Sequence, residues 1–313
     1  MRPYRSRVSR AREGYLYGVA AYLCWGLFPL YWKLLRPATP MEILAHRIVW
    51  SCVMVALVVT VARGWRRIGA LLRRRREVGL IALASALIAA NWFTYIYGVN
   101  SDRVVETSLG YFINPLVTVL LGVVVLRERL RAAQWVAIAL GAVAVGVLTV
   151  DYGHVPYLAL TLAASFGTYG LIKKRLGVPA AEGLLLESGA LALPALGYLG
   201  VLLARDASTF GHVSPLHTSL VVVSGAVTAV PLLLFAGAAN RIQLSAIGLL
   251  QYLAPVLQLA LGILVFHEPM PPVRLAGFAL VWLALAVFTA DGIRRVRSTR
   301  RVTNVDLPEP VTA

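Results

Sequence analysis

The chain has 313 residues, 59% of them hydrophobic and only 14% charged, where ordinary soluble domains carry about 25% charged residues. The solvent for most of this protein is therefore lipid. The net charge of +16 does not signal nucleic acid, because a nucleic-acid binder gathers its basic residues on one face, and here they are divided between loops and tails.

Residues 1–14 form a basic arm carrying Arg2, Arg5, Arg7, Arg10 and Arg12. An apolar segment follows at 15–35, longer than the core of a secretory signal and without a small-residue cleavage site, so it reads as a retained first span. Further segments of roughly the ~20 residues a bilayer requires lie at 41–62, 78–99, 104–126 and 132–150. Five more lie at 156–173, 183–203, 218–239, 245–266 and 273–290, which makes ten. The tail, 292–313, is basic and then polar with prolines, and reads as disordered. Cys24 and Cys52 fall inside apolar segments as small packing residues, with no disulfide or metal-ligand spacing.

Charge orients these segments. With the N-terminus cytoplasmic, 24 Lys and Arg fall on the cytoplasmic side and five on the other, with Arg47 inside the second segment. That asymmetry predicts that both termini are cytoplasmic. Sliding the chain by 140 residues aligns Asn100 with Asn240, Pro115 with Pro255, Gly122 with Gly262, Glu128 with Glu268 and Asp151 with Asp291. From 100 to 151 there are 13 identities in 52 positions without a gap. Five segments is an odd number, so the second half enters the membrane from the opposite side. The expected fold is an all-α polytopic membrane protein of ten transmembrane helices, built as two inverted five-helix repeats, 15–151 and 152–291.

The two prolines focus the search for a site. A proline inside a helix has no N–H for the carbonyl four residues back, so Pro115 frees the carbonyl of Tyr111 and Pro255 that of Gln251. Hydrocarbon offers no water to satisfy them. Broken helices at matching places in two halves point to a transporter's central site. Tyr111 and Asn114 on one, and Gln251 and Tyr252 on the other, are thus candidate substrate contacts. Trp25, Asn91 and Tyr95 are candidate walls of the same cavity.

Ionisable residues at membrane depth form a second group. Glu42 and His46 are four apart and share a helix face. Arg47 and Glu106 lie at similar depth and are expected to pair, as an outer gate or an anion contact. Glu187 matches Arg47 at the 140 shift but lies toward the cytoplasm, nearer Lys173, Lys174 or Arg241. Arg47, Glu106 and Glu187 read equally as structural rivets or as substrate or proton sites, and Glu42 with Lys33 as rivets. His46 could titrate near neutrality, although a histidine beside a carboxylate is more often simply hydrogen-bonded.

Nothing reads as an enzyme: there is no phosphate-cradling loop, metal-spaced cluster or nucleophile elbow, and no cofactor or metal is expected. A membrane enzyme acting on a lipid-linked substrate, or a channel or scaffold without coupled transport, remains the alternative.

The stretches HRIVWS (46–51), NWFTYIYGVN (91–100), ETSLGYFINPL (106–116), SFGTYGLIKK (165–174), LLLES (184–188), TAVPLLLF (228–235) and LSAIGLLQYLAP (244–255) together resemble the RarD branch of the EamA-type drug/metabolite transporters. The resemblance covers nearly all of 14–291. It implies a ten-helix inverted-repeat permease of the bacterial inner membrane, with a cavity lined mainly by the first, third, fourth, sixth, eighth and ninth helices. The family's name reflects an association with chloramphenicol. The expected partners are a small-molecule solute and the lipid bilayer, and the resemblance supplies no physiological substrate. The arm and tail lie outside it.

Overall fold

The computed structural model describes the backbone of residues 2–127 and 129–305, and their side chains apart from 2–11, 126, 174, 244–245 and 293–305. Glu128 of the repeat, the side chain of Lys174, most of the arginine arm's side chains and the tail beyond 305 lie outside the described residues.

Among those residues every regular element is helical. The elements are α1 (Arg2–Leu34), α2 (Pro40–Val61), α3 (Trp65–Leu72), α4 (Arg75–Asn100), α5 (Val104–Leu126) and α6 (Ala132–Tyr152). The second half has α7 (Tyr157–Leu176), α8 (Ala180–Ala204), α9 (Pro215–Ala239), α10 (Leu244–Leu250) and α11 (Leu253–Ala260), a π-helical turn (Leu261–Val265) and α12 (Pro272–Val305). Among the described residues eight segments are long and apolar enough to cross a membrane, with mean hydropathy of 1.5 to 2.2: α2, α4, α5, α6, α8, α9, Ala246–Val265 and Pro272–Gly292. They are apolar all round yet leave large side chains uncovered, among them Leu57 at 61% exposure and Val150 and Leu193 at 80%. Water would not tolerate such surfaces on a monomer, and lipid does.

Local sequence explains several helix ends. Thr39 caps α2, its hydroxyl accepting the Glu42 N–H at 3.2 Å, with Pro40 in the first helical position. Ser214 and Pro215 start α9 in the same way, Ser214 accepting the His217 N–H at 3.0 Å.

The prolines divide. α5 runs unbroken through Pro115, as α8 and α9 do through Pro194 and Pro231. The expected break at Pro115 is therefore corrected: proline alone does not interrupt a membrane helix. The ninth segment does break, at Gln251–Tyr252, and Pro255 sits in the first turn of α11, where its missing N–H costs nothing.

The chain forms two compact units. The first, Met1–Tyr111 with Leu158–Pro269, packs α2 against α8 and α9, and α1 against α9 and α11. The second, Phe112–Tyr157 with Met270–Ala313, packs α6 along α12, with Phe112 edge-on to Phe278 at 6.2 Å.

In the first unit, the α2–α9 contact depends on a glycine. A Cβ at Gly225 would be driven into the Trp50 carbonyl, which is backbone and cannot swing aside. Small residues are what let membrane helices approach this closely. Gly225→Ala is therefore expected at the upper end of the roughly 1–3 kcal/mol typical of overpacking. Gly146→Ala, with nothing within 4 Å, should be silent. Detergent-resistance melting curves of the two variants make the comparison.

Candidate functional site

The first unit's interior is organised around Arg47 of α2, which is 4% exposed. Trp32 and Phe28, one turn apart on α1, and Trp92 of α4 present their rings to it, with centroids 4.8, 5.8 and 4.0 Å from its guanidinium carbon. Its Nε donates to the Thr228 hydroxyl of α9 at 3.0 Å, and that hydroxyl donates onward to the Ser224 carbonyl at 2.9 Å. Stacking on rings offsets about 2 kcal/mol of the charge's burial when water is excluded, while stripping an ion of water costs several. The aromatic faces alone do not balance this charge.

The expected Arg47–Glu106 pair does not form. Glu106 is bound by Arg103, three residues before it and within reach around the same turn, and its second oxygen accepts the Leu158 N–H at 3.2 Å. It thereby caps the N-terminus of α7. Glu187 pairs with Lys173 at 2.8 Å, as its depth suggested, and also accepts the Tyr169 hydroxyl at 3.0 Å.

Glu42 and His46 share a face of α2 but do different things. The Glu42 carboxylate accepts from the Thr209 N–H at 2.7 Å and the Ser208 hydroxyl at 3.1 Å. The His46 ring stacks on Phe210, centroids 4.8 Å apart, with Nε2 unpartnered among the described residues.

The aromatic and amide candidates are partly assembled. Tyr95 and Tyr111 meet edge to face at 5.6 Å, and Phe166 stands against Tyr111 at 6.3 Å. Asn91 donates to the Leu162 carbonyl and Ser165 hydroxyl at 3.0 and 3.1 Å, which ties α4 to α7. Trp25 packs on Tyr22 and Phe235, and its carbonyl accepts from Gln258 at 3.0 Å. Gln251 and Tyr252 make the turn between α10 and α11. Asn114 belongs to the second unit, and its side-chain oxygen has no hydrogen-bond partner among the described residues.

Two features escaped the sequence reading. Phe28 and Trp32 carried a signal, their spacing of four. Glu268 carried none beyond its place in the repeat. Its two oxygens accept the N–H groups of Val104 and Val105 at 2.6 and 2.8 Å, so a residue far along the chain caps α5. Burial raises its carboxyl above the ordinary value, against those two N–H groups. Beside it in sequence, Phe266 lies under the Lys33 ammonium at 3.5 Å, and Lys33 bonds Asp102 at 2.6 Å. That hydrogen bond holds the Asp102 carboxyl below its usual range.

Such an all-helical chain, with lipid-facing apolar surfaces and buried charges at membrane depth, defines a polytopic membrane protein. The EamA-like transporter family matches it over residues 12–150. Protein RarD of Streptomyces exfoliatus is 54% identical over 92% of both chains. The "Uncharacterized transporter YojE" of Bacillus subtilis strain 168 is 42% identical over 93% of this chain and 98% of that one, and Protein RarD of Escherichia coli K12 is 37% identical over 93% and 99%. A protein of known crystal structure, 22% identical, shares the fold at a TM-score of 0.56, covering 90% of this chain and 98% of that chain. The chain belongs to the RarD branch of the EamA-like drug/metabolite transporter superfamily, and it is a membrane transporter.

Proposed function

We propose that this transporter is a secondary-active permease, an exporter of a small metabolite or drug-like solute, working by alternating access in the bacterial cytoplasmic membrane. Ten segments cross the bilayer: the eight named above, the part of α1 from Tyr15, and α7. They form two inverted repeats, 15–151 and 152–291, with both termini cytoplasmic.

The observation that carries this reading is the recurrence of matching local geometry at a separation of 140 residues. Asp151 accepts a hydrogen bond from Arg274 at 2.7 Å and Asp291 forms an ion pair with Arg131 at 2.5 Å, so each repeat-related aspartate takes an arginine at the start of the other's helix. Arg127 and His267 hold the same left-handed backbone, φ 55° and 54°, a conformation that side-chain-bearing residues seldom adopt. Glu42 and Glu182, in the first turns of α2 and α8, each reach the segment following the other's helix, through Thr209 and Arg67. Duplicated inverted halves are the machinery by which many secondary transporters alternate access. The broken ninth segment and the buried Arg47 supply polar groups for the solute.

Proteoliposomes holding only this protein test the function. A gradient-driven flux of at least one solute from a metabolite panel is expected. Chloramphenicol joins the panel because a Pseudomonas aeruginosa relative, 31% identical, is named "Chloramphenicol-sensitive protein RarD". Thiol labelling should reach cysteines placed in 63–77 only from the cytoplasm and in 206–216 only from outside. Labelling of both loops from one side removes the inverted topology, and flux as fast as an open pore removes alternating access.

A further inference from the structure

Arg47 spends only its Nε, on Thr228; among the described residues no hydrogen bond or ion pair reaches its two terminal nitrogens. The buried carboxylates of the same unit are all engaged elsewhere. Glu42 takes Thr209, Glu106 takes Arg103, Glu182 takes Arg67, Glu187 takes Lys173, and Glu268 takes the start of α5. A buried cation without a counter-charge is not a rivet, because a rivet has two ends.

The unsatisfied groups around it share one character. The Trp32 indole N–H, whose ring lies against the guanidinium, has no acceptor among the described residues. The hydroxyl of Tyr95, three residues after Trp92 on α4, is buried and also unpartnered among the described residues. An indole N–H and a guanidinium can only donate, and a phenol donates readily. The cluster therefore lacks acceptors and negative charge together. With Nε committed, the free edge of the guanidinium is the pair of terminal nitrogens, the planar fork that grips two oxygens of one oxyanion. Around it stand rings, suited to an apolar or aromatic body.

We propose that Arg47 anchors the anionic group of the transported solute, an aromatic or apolar organic anion bearing a carboxylate, phosphate or sulfonate. The Trp32 N–H and Tyr95 hydroxyl supply further donors, and Tyr95 and Tyr111 the wall for its body. This deepens the permease reading and rests on it for the solute's being carried.

The test uses the purified full-length protein in low-salt buffer, with melting curves and tryptophan fluorescence as readouts. The probes are benzoate, phenyl phosphate and benzenesulfonate, with benzamide and chloramphenicol as uncharged counterparts and sodium chloride as the inorganic control. At least one aryl anion should raise the melting temperature saturably and change the fluorescence, since a ligand of the folded state alone stabilises it. Benzamide should not, and chloride should not reproduce the effect. Arg47→Gln should abolish the response, and Arg47→Lys, which keeps the charge and loses the fork, should weaken it at least tenfold. Silence of all three anions, an equal benzamide response, or a full chloride response overturns the proposal. So does persistence in R47Q, or, where that variant cannot be purified, undiminished affinity in R47K. Counterflow in proteoliposomes separates this from the permease reading. An anion bound at Arg47 with no solute moved leaves the site standing and removes the permease. Transport of a neutral solute, undiminished in R47Q, does the reverse.

Discussion

Lys173→Met is expected to destabilise the protein by about 3–5 kcal/mol, the range for breaking a buried ion pair from one side. Its partner Glu187 is 2% exposed and would keep only the Tyr169 hydroxyl. The penalty is the stranded charge and not the loss of attraction, so removing that charge should reverse it. The double variant Lys173→Met, Glu187→Gln should therefore recover most of the loss. Tyr169 can still donate to the glutamine carbonyl, and lysine's stem is replaced by one of similar length. Unfolding titrations in mixed detergent of the two single variants and the double variant give the coupling. Additive losses would show that Lys173 and Glu187 act independently, and would remove the pair as the element joining α7 to α8.

Glu268→Ala is the second large effect. It strands two backbone N–H groups, those of Val104 and Val105, at positions with almost no access to water. Each buried unsatisfied donor costs about 1–3 kcal/mol, which places the variant about 2–6 kcal/mol below wild type. The lost negative charge at a helix N-terminus adds to this. Glu268→Gln keeps one acceptor and should fall between the two. Amide hydrogen exchange gives a local readout, because the first turn of α5 should lose protection before the rest of that helix. Unchanged protection there would mean that water or another group takes over the cap.

These expectations rest on contacts that the linear chain shows unevenly. Polar and apolar patterning placed the spans that satisfy length and hydropathy in the structure, apart from the short α3 in the loop at 63–77. The Thr39–Pro40 and Ser214–Pro215 starts are visible because a cap and its helix are adjacent. The lysine for Glu187 was among those suggested by depth. The Arg47–Glu106 pair was wrong for the same reason that suggestion was right: topology assigns a residue its depth and nothing more.

What the sequence determined by itself is therefore everything that depends on composition and on neighbours along the chain. This comprises a lipid-solvated helical protein, where its segments lie, and its membership of a transporter family. The matching of Asp151 with Asp291 at a shift of 140 residues was also visible there. The tertiary structure decided which way each helix is turned about its axis, since that sets which of several groups at one depth actually meet. Rotation put Arg47 against Trp32, Trp92 and Thr228 instead of a carboxylate, and kept Glu106 with Arg103. It was also long-range folding that brought Glu268 back to the start of α5. The folded structure likewise decided the prolines: the missing N–H is local and the same in both, yet Pro115 lies in an unbroken helix and Pro255 follows a break.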